Sequence, residues 1–310
     1  MSSTSCSNTK IPSVLPLARQ LQPPEVIATR NGQVEGMDWW YEHHNLIQQA
    51  WKEWSVVEEF KPFAALSDDS FMFHDMWTSI VHPDDNHACQ INFTRETNQA
   101  ATTAFHQLSS LCQPLVEQQI YICRQLFTQQ GLEILAKHFQ AIYNSGVPIR
   151  RPNGMNRHGA MLSATIPGGV TYPILDTFLH RLVHSYLIPT IVMLFLPPSW
   201  RNNTAHAWWN ELDHHRYAFT IQYQRGHDVL LKEHIDDSLM SFNVNLNTQN
   251  DTSSVGSNLY FILENGHRQA IRFESGMAVI HWGNIVHAAL PIVRGQRHNL
   301  VLWLGHGTHK

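Results

Sequence analysis

The chain has 310 residues, with 21 Lys and Arg against 25 Asp and Glu and a formal net charge of −4. That length supports one large domain with an extension, or two modest ones, around a sizeable core. The charge balance offers no footprint for a phosphate backbone, so no nucleic-acid partner is expected.

Four cysteines, Cys6, Cys89, Cys112 and Cys123, show no paired spacing and fit a reduced intracellular setting, cytoplasmic or nuclear. The opening MSSTSCSNTKIPSVLP lacks a basic region ahead of an apolar one, so no signal peptide is expected. The longest apolar run, 187–198, is too short and too proline-broken for a transmembrane segment. A soluble protein with no membrane partner is expected.

In chain order, residues 1–35 are polar and proline-bearing and predict a flexible arm. Residues 36–115 predict a helical region. Within it WWYEHHNLIQQAWKEWSVVEEF places Trp40, Leu46, Ile47, Trp51 and Trp54 on one helical face, either an anchor onto the main core or a partner-binding face. Residues 67–93 read as loop and 94–115 as a second helix. A third unit, 116–310, opens with a strand over 117–127. Thr128 then caps a helix through Tyr143, ended by Asn144–Ser145–Gly146.

The motif RPNGMNRHG (151–159) follows. It reads either as the lining of a substrate mouth or as a turn in which Asn153 and Asn156 bond the backbone. A helical stripe runs over 172–195, with Pro189 expected to end or kink it. From Arg216 the period becomes two, predicting strands over 217–223, 234–246, 258–263, 270–273, 277–281, 285–290 and 297–304. Helices first and short strands last predict an α+β chain with a mainly β core, an antiparallel sandwich or jelly roll buttressed by helices.

The chemistry gathers in KEHIDDSLMSFNVNLN (232–247). His234 and Asp236 stand two apart, so an extended strand would project both the same way. An imidazole and a carboxylate converging on one point are two thirds of the 2-His-1-carboxylate set that holds ferrous iron with open positions. Past Gly283–Asn284, His287 supplies a third donor. Arg297 enters an apolar strand ten residues later, a fixed cation suited to gripping a carboxylate through its planar fork. The other His-x-Asp, His82–Pro83–Asp84, has a proline inside it and no alternating strand after it.

The pattern Tyr223…His234-x-Asp236…His287…Arg297 resembles the 2-oxoglutarate- and iron(II)-dependent oxygenases. SFNVNLN (241–247) and HAALPIVRGQRHNLVLWL (287–304) look like the branch containing lysyl hydroxylases and "2-oxoglutarate and iron-dependent oxygenase domain-containing" proteins. RPNGMNRHGAML (151–162) is similar to the opening motif of the latter. The resemblance covers about residues 118–305. One departure is Val255–Gly256–Ser257, where relatives often carry Gly-Gly.

The resemblance implies a double-stranded β-helix, a cupin-like jelly roll, with an N-terminal helical extension. It implies Fe(2+) held by His234, Asp236 and His287, and 2-oxoglutarate as co-substrate with its far carboxylate on Arg297. Tyr223, Asn243 and Asn299 stand where relatives place co-substrate contacts. The alternatives are a core tyrosine for Tyr223 and solvent-facing polar residues for Asn243 and Asn245. Ascorbate is a candidate reductant. The implied reaction hydroxylates a C–H bond with O2, on a protein side chain (lysyl or prolyl), releasing succinate and CO2. Competing readings are a non-catalytic jelly-roll module that recruits a partner through the aromatic N-terminal region, and a zinc hydrolase.

Overall fold

The computed structural model describes residues 13–24, 36–56, 108–162, 167–197, 216–248 and 254–306, with shorter pieces at 29–30, 33–34, 66, 68, 72–73, 106, 207–208 and 210–213. The pair His82 and Asp84 lies outside the described residues.

Among the described residues, ten strands form the two main sheets. They are β1 (Cys112–Val116), β2 (Ile120–Cys123), β3 (Arg216–Gln224), β4 (Leu231–His234), β5 (Met240–Asn245), β6 (Leu259–Ile262), β7 (Arg268–Ile271), β8 (Ala278–Trp282), β9 (His287–Ala289) and β10 (Gln296–Leu304). A six-stranded sheet has the order β1-β2-β8-β5-β10-β3 and a four-stranded sheet the order β7-β6-β9-β4, both antiparallel. From β3 onward the chain alternates between the two sheets, returning to the same one only at the β6–β7 hairpin. That is the winding of a jelly roll.

The two-residue period explains why the larger sheet can be buried on both faces. Phe242, Val244, Ala278, Ile280, Leu300, Leu302 and Leu304 point outward into one apolar cluster shared with the helices. Phe219, Ile221, Tyr223, Val279 and Val301 point inward, meeting Leu259 and Phe261 of the smaller sheet. On the same inner face sit Ser241, Asn245, His281, Arg297 and Asn299, all buried. The polar face of SFNVNLN therefore lines the space between the sheets, not solvent.

Among the described residues, the helices that cover the outer face are α1 (Leu15–Ala18), α2 (Met37–Glu42), α3 (His44–Ser55), α4 (Gln129–Asn144) and α5 (Pro173–Phe195). The cap on α4 is as the sequence predicts, with the Thr128 hydroxyl accepting from Gly131 N at 2.8 Å. Trp40, Trp51 and Trp54 are buried in the same core as the larger sheet, and Trp54 lies 5.8 Å from the Tyr172 ring. This is the anchor of the two alternatives, and it removes these tryptophans from any partner-binding face.

Several elements differ from expectation. The arm is tied down at α1, where the Glu53 carboxylate of α3 accepts from Ser13 Oγ at 2.8 Å and Val14 N at 3.0 Å. Arg19 Nε reaches the Ser145 carbonyl at 2.9 Å. The expected helix over 94–115 ends in strand β1, so a boundary at 115/116 falls inside a strand, and the strand predicted over 117–127 is only Ile120–Cys123.

Pro189 does not end α5. A π-helical turn over Leu182–Leu187 precedes it, loosening the hydrogen-bond ladder where proline has no N–H to give. The continuous helix is long and apolar enough to cross a membrane, but 78% of its most apolar window is buried within the protein. Its apolarity comes from its place in the core.

Among the described core residues, His138 bears on stability through its titration. His138 of α4 is buried, and its Nε2 meets the Tyr172 hydroxyl at 2.5 Å. Burial pushes its pKa down to about 3. An unfolded histidine titrates near ~6.5, so below that pH the unfolded chain takes up a proton that the folded chain refuses. Stability is therefore complete above about pH 6.5 and lost progressively toward pH 3. Going from pH 7 to pH 5 should cost about 2 kcal/mol through this residue alone. His138→Gln should remove that portion of the pH dependence, read as urea midpoints at the two pH values.

Candidate metal centre

His234 closes β4, and His287 opens β9 directly opposite it in register. Asp236 is not on the strand with His234, because β4 ends there and the next strand begins only at Met240 in the other sheet. Asp236 sits in the crossover, which is pinned to the Gly283–Asn284 turn. Asp236 N donates to Gly283 O at 2.9 Å and Gly283 N to Leu239 O at 2.9 Å. A Cβ at position 283 would lie 1.9 Å from Ser238 O, so only glycine allows this close approach.

The result is a cluster whose three donor atoms all lie within 4.8 Å of one another. His234 Nε2 is 3.5 Å from Asp236 Oδ1, and His287 Nε2 is 3.7 Å from Oδ2. Each ring turns its Nδ1 outward onto a backbone carbonyl, Lys232 O at 2.7 Å for His234 and Ile285 O at 2.9 Å for His287. Those carbonyls favour the tautomer with hydrogen on Nδ1 and leave both Nε2 lone pairs facing the centre, as a metal ligand requires. Two imidazoles and one carboxylate with an open side are a donor set suited to non-haem ferrous iron.

The electrostatics match a cation site. Burial pushes the Asp236 carboxyl up, but His287, the hydrogen bond from His234, His281 and Ser241 outweigh it and hold it well below the usual carboxylate range. Burial pushes His287 down to about 3, leaving a neutral imidazole. For His234 burial also acts downward, but Asp236 prevails and the pKa rises.

Two partners of Asp236 escaped the sequence reading. Ser241 Oγ donates to Oδ2 at 2.5 Å, and His281 Nε2 stands 3.8 Å from the same oxygen. His281 is the inward position of β8, after Val279, and strand alternation alone would have found it.

Around this centre a pocket is lined by Asn153, Met155, Asn156, Phe219, Ile221, Tyr223, Leu231, Asn243, Leu259, Ala288, Val301 and Trp303, with the three donor residues. Val301 and Trp303 of β10 line it, whereas Leu290, just past β9, is exposed at 38%. Asn243 Oδ1 accepts from Asn299 Nδ2 at 2.8 Å.

Arg297 pairs with Tyr223 across β10 and β3, its guanidinium carbon 4.6 Å from the phenol ring centre. It is buried, and Nη1 donates to the Ser257 carbonyl. Beyond the approach of the guanidinium to the Tyr223 side chain, Nε and Nη2 find no hydrogen-bond partner among the described residues. Burial pushes its pKa down to about 10, with Tyr223 opposing, so it remains a cation near neutrality.

Comparison with known proteins bears out the resemblance. No family model matches the chain. It is 29% identical over 177 residues to "2-oxoglutarate and iron-dependent oxygenase domain-containing protein 2" of Xenopus tropicalis, covering 55% of this chain and 44% of that protein. It is 29% identical over 188 residues to the protein of the same name from Homo sapiens, covering 58% and 47%. A third relative, "2-oxoglutarate and iron-dependent oxygenase domain-containing protein CP2" of Arabidopsis thaliana, is 31% identical over 166 residues, covering 50% and 36%. The chain spans less than half the length of these relatives. Among solved structures, a prolyl hydroxylase from Trichoplax adhaerens in complex with a hypoxia inducible factor peptide fragment aligns with a TM-score of 0.45 at 14% identity, covering 70% of this chain and 96% of that one.

The donor set can be tested with metal alone. Titrating Mn(II) into the full chain, His234→Ala, Asp236→Ala and His287→Ala should each weaken binding by at least ~100-fold, beyond the usual cost of losing an outer hydrogen-bond partner. Ser241→Ala, which removes only a brace on Asp236, should cost about tenfold. His82→Ala should change nothing.

Proposed function

We propose that this chain is an iron(II)- and 2-oxoglutarate-dependent dioxygenase that hydroxylates a C–H bond on a protein side chain, lysyl or prolyl. The observation that carries the reading is a 2-His-1-carboxylate cluster sharing one barrel interior with a buried arginine that meets no carboxylate among the described residues. The names of its relatives support the same reading. Iron with 2-oxoglutarate would supply oxidation of an unactivated C–H bond, coupled to decarboxylation of the co-substrate to succinate and CO2.

The roles of the chain's own residues follow from where they sit. His234, Asp236 and His287 would hold the metal on one side and leave the pocket side open. Arg297 and Tyr223 would receive the far carboxylate of 2-oxoglutarate. Asn243 and Asn299, joined by their amides, would present polar groups between the two ends. Phe219, Ile221, Val301 and Trp303 would exclude water from the reacting centre. The helices α1–α3 would act as a buttress for the catalytic unit.

Among the described lining residues no second carboxylate stands by to serve as the general base that zinc hydrolysis needs. That alternative also leaves Arg297 without a role. A purely binding module built on the tryptophan face is disfavoured by the burial of those tryptophans.

The test is succinate release from the full chain supplied with Fe(II), 2-oxoglutarate, ascorbate and air. Release should be abolished without oxygen and in His287→Ala. Arg297→Ala should weaken 2-oxoglutarate by about 30-fold or more, the effect of losing one buried charge-assisted pair, with Mn(II) affinity nearly unchanged. Equal 2-oxoglutarate affinity in Arg297→Ala and parent would place the carboxylate elsewhere.

A further inference from the structure

The β1–β2 hairpin holds a pair of groups that the metal centre does not use. Cys112 on β1 and Cys123 on β2 stand directly opposite in register, each 1% exposed and each a free thiol. Their place in the ladder follows from the bond beside them. Arg124 N donates to Leu111 O at 3.0 Å, which makes 111 and 124 a hydrogen-bonded pair. Such pairs alternate with non-hydrogen-bonded ones along an antiparallel ladder, so 112 and 123 belong to the second kind. Pro114 agrees with this parity. It lies two residues from Cys112 on the edge strand, where its nitrogen, lacking a hydrogen, points away from β2 to the open side.

Non-hydrogen-bonded partners are the closer kind, with Cα atoms roughly 4.5 Å apart and side chains on one face. A disulfide spans Cα separations of about 4.4–6.8 Å. The thiols already lie within hydrogen-bonding reach of each other, and burial pushes the Cys112 thiol well up, with Cys123 adding to the effect. The turn of the hairpin is fastened separately. Trp282 Nε1 donates to Gln118 O at 2.8 Å, and the Tyr121 hydroxyl donates to Glu117 Oε1 at 2.7 Å. The two cysteines sit at the opposite, open end, where the chain enters the larger sheet.

We infer that Cys112 and Cys123 are a disulfide-forming site, and that the link clamps the edge strand β1 to the rest of the sheet. The inference stands apart from the metal centre and its reading. With hydrogen peroxide as oxidant, one thiol becomes a sulfenic acid as the O–O bond breaks and a first water leaves. The second thiol attacks that sulfur, the S–S bond forms and a second water leaves. Two electrons pass from the sulfurs to the peroxide. The first step needs a thiolate, which burial suppresses in the closed hairpin. β1 has a neighbouring strand on one side only. Local opening of this edge therefore admits peroxide, and closing returns the second thiol in register.

The experiment treats the full chain, kept free of iron with a chelator, with hydrogen peroxide. Remaining thiols are then alkylated in denaturant and the chain is digested without reductant. The peptides carrying Cys112 and Cys123 should appear joined, lighter by two hydrogens than their sum, and should separate with dithiothreitol. Oxidation should also raise the urea midpoint by about 0.5–1 M, because the link closes a loop in the unfolded chain. Cys123→Ala should abolish both the link and the redox dependence of the midpoint. If Cys123→Ala does not fold, the joined peptide and the midpoint shift of the parent chain decide by themselves.

Absence of the joined peptide, or links from either residue to Cys6 or Cys89 in its place, would overturn the inference. A Cys112–Cys123 link that left the midpoint unchanged or lowered it would overturn it as well, since β1 would then not be clamped.

Discussion

A guanidinium buried without a carboxylate beside it is among the more expensive things a fold can contain. In this chain Arg297 is 2% exposed, rests against the Tyr223 and Phe273 rings, and gives one nitrogen to the Ser257 carbonyl. The stacking and the bond to Ser257 soften the cost, but among the described residues no carboxylate neutralises the charge. What keeps Arg297 in place is the strand that carries it. Leu300, Leu302 and Leu304 on the opposite face of β10 are locked in the main core, and the nine-residue register with β3 allows no slip. A one-residue shift would turn those leucines inward and the arginine outward.

The same logic governs the acidic end of the pocket. Asp236 is held by a loop, not by a strand, and its position depends on two backbone bonds to the Gly283–Asn284 turn. That turn joins β8, which brings His281, to β9, which brings His287. One short connection therefore sets the relative placement of the carboxylate and two of its imidazole neighbours. The histidine on β4 is tied to the same point through its register with His287. Donors drawn from two sheets and a loop converge because the crossover strands of a jelly roll end at one mouth.

Much of this could be read from the residues. The two-residue period from Arg216 onward predicted the strands to within a few positions. The convergence of His234, Asp236 and His287 was also legible, though for a different reason than strand alternation. The run 234–246 looks like one strand because its polar and apolar residues alternate. In fact it breaks at 235–239, where the chain crosses between sheets. Alternation cannot reveal such a crossing, because both strands obey it.

Other features were hidden because they belong to pairing across long separations. Cys112 and Cys123 are eleven apart with no motif between them, yet the β1–β2 hairpin sets them opposite each other. Asn156 reads from the sequence either as a second turn residue beside Asn153 or as the lining of a mouth, and only the packing of its loop, which buries it in the wall of the pocket, separates the two.

The division of labour between the two faces of the larger sheet explains why a polar interior can coexist with a well-packed fold. Outward residues of β3, β5, β8 and β10 share one apolar cluster with α3, α4 and α5, and stability is concentrated there. Inward residues of the same strands carry Ser241, Asn243, His281, Arg297 and Asn299, two of which, Arg297 and Asn299, have unmet hydrogen-bonding capacity among the described residues. Since neighbouring residues on one strand face opposite ways, inner side chains can change while the outer core remains intact. The cost of an unsatisfied interior is thus borne by a surface that the interior does not touch. It follows that the buttressing helices matter to the pocket although none of them lines it. Loosening Trp40, Trp51 or Trp54 would reach the site only by weakening the sheet that holds Arg297 and the imidazoles in register.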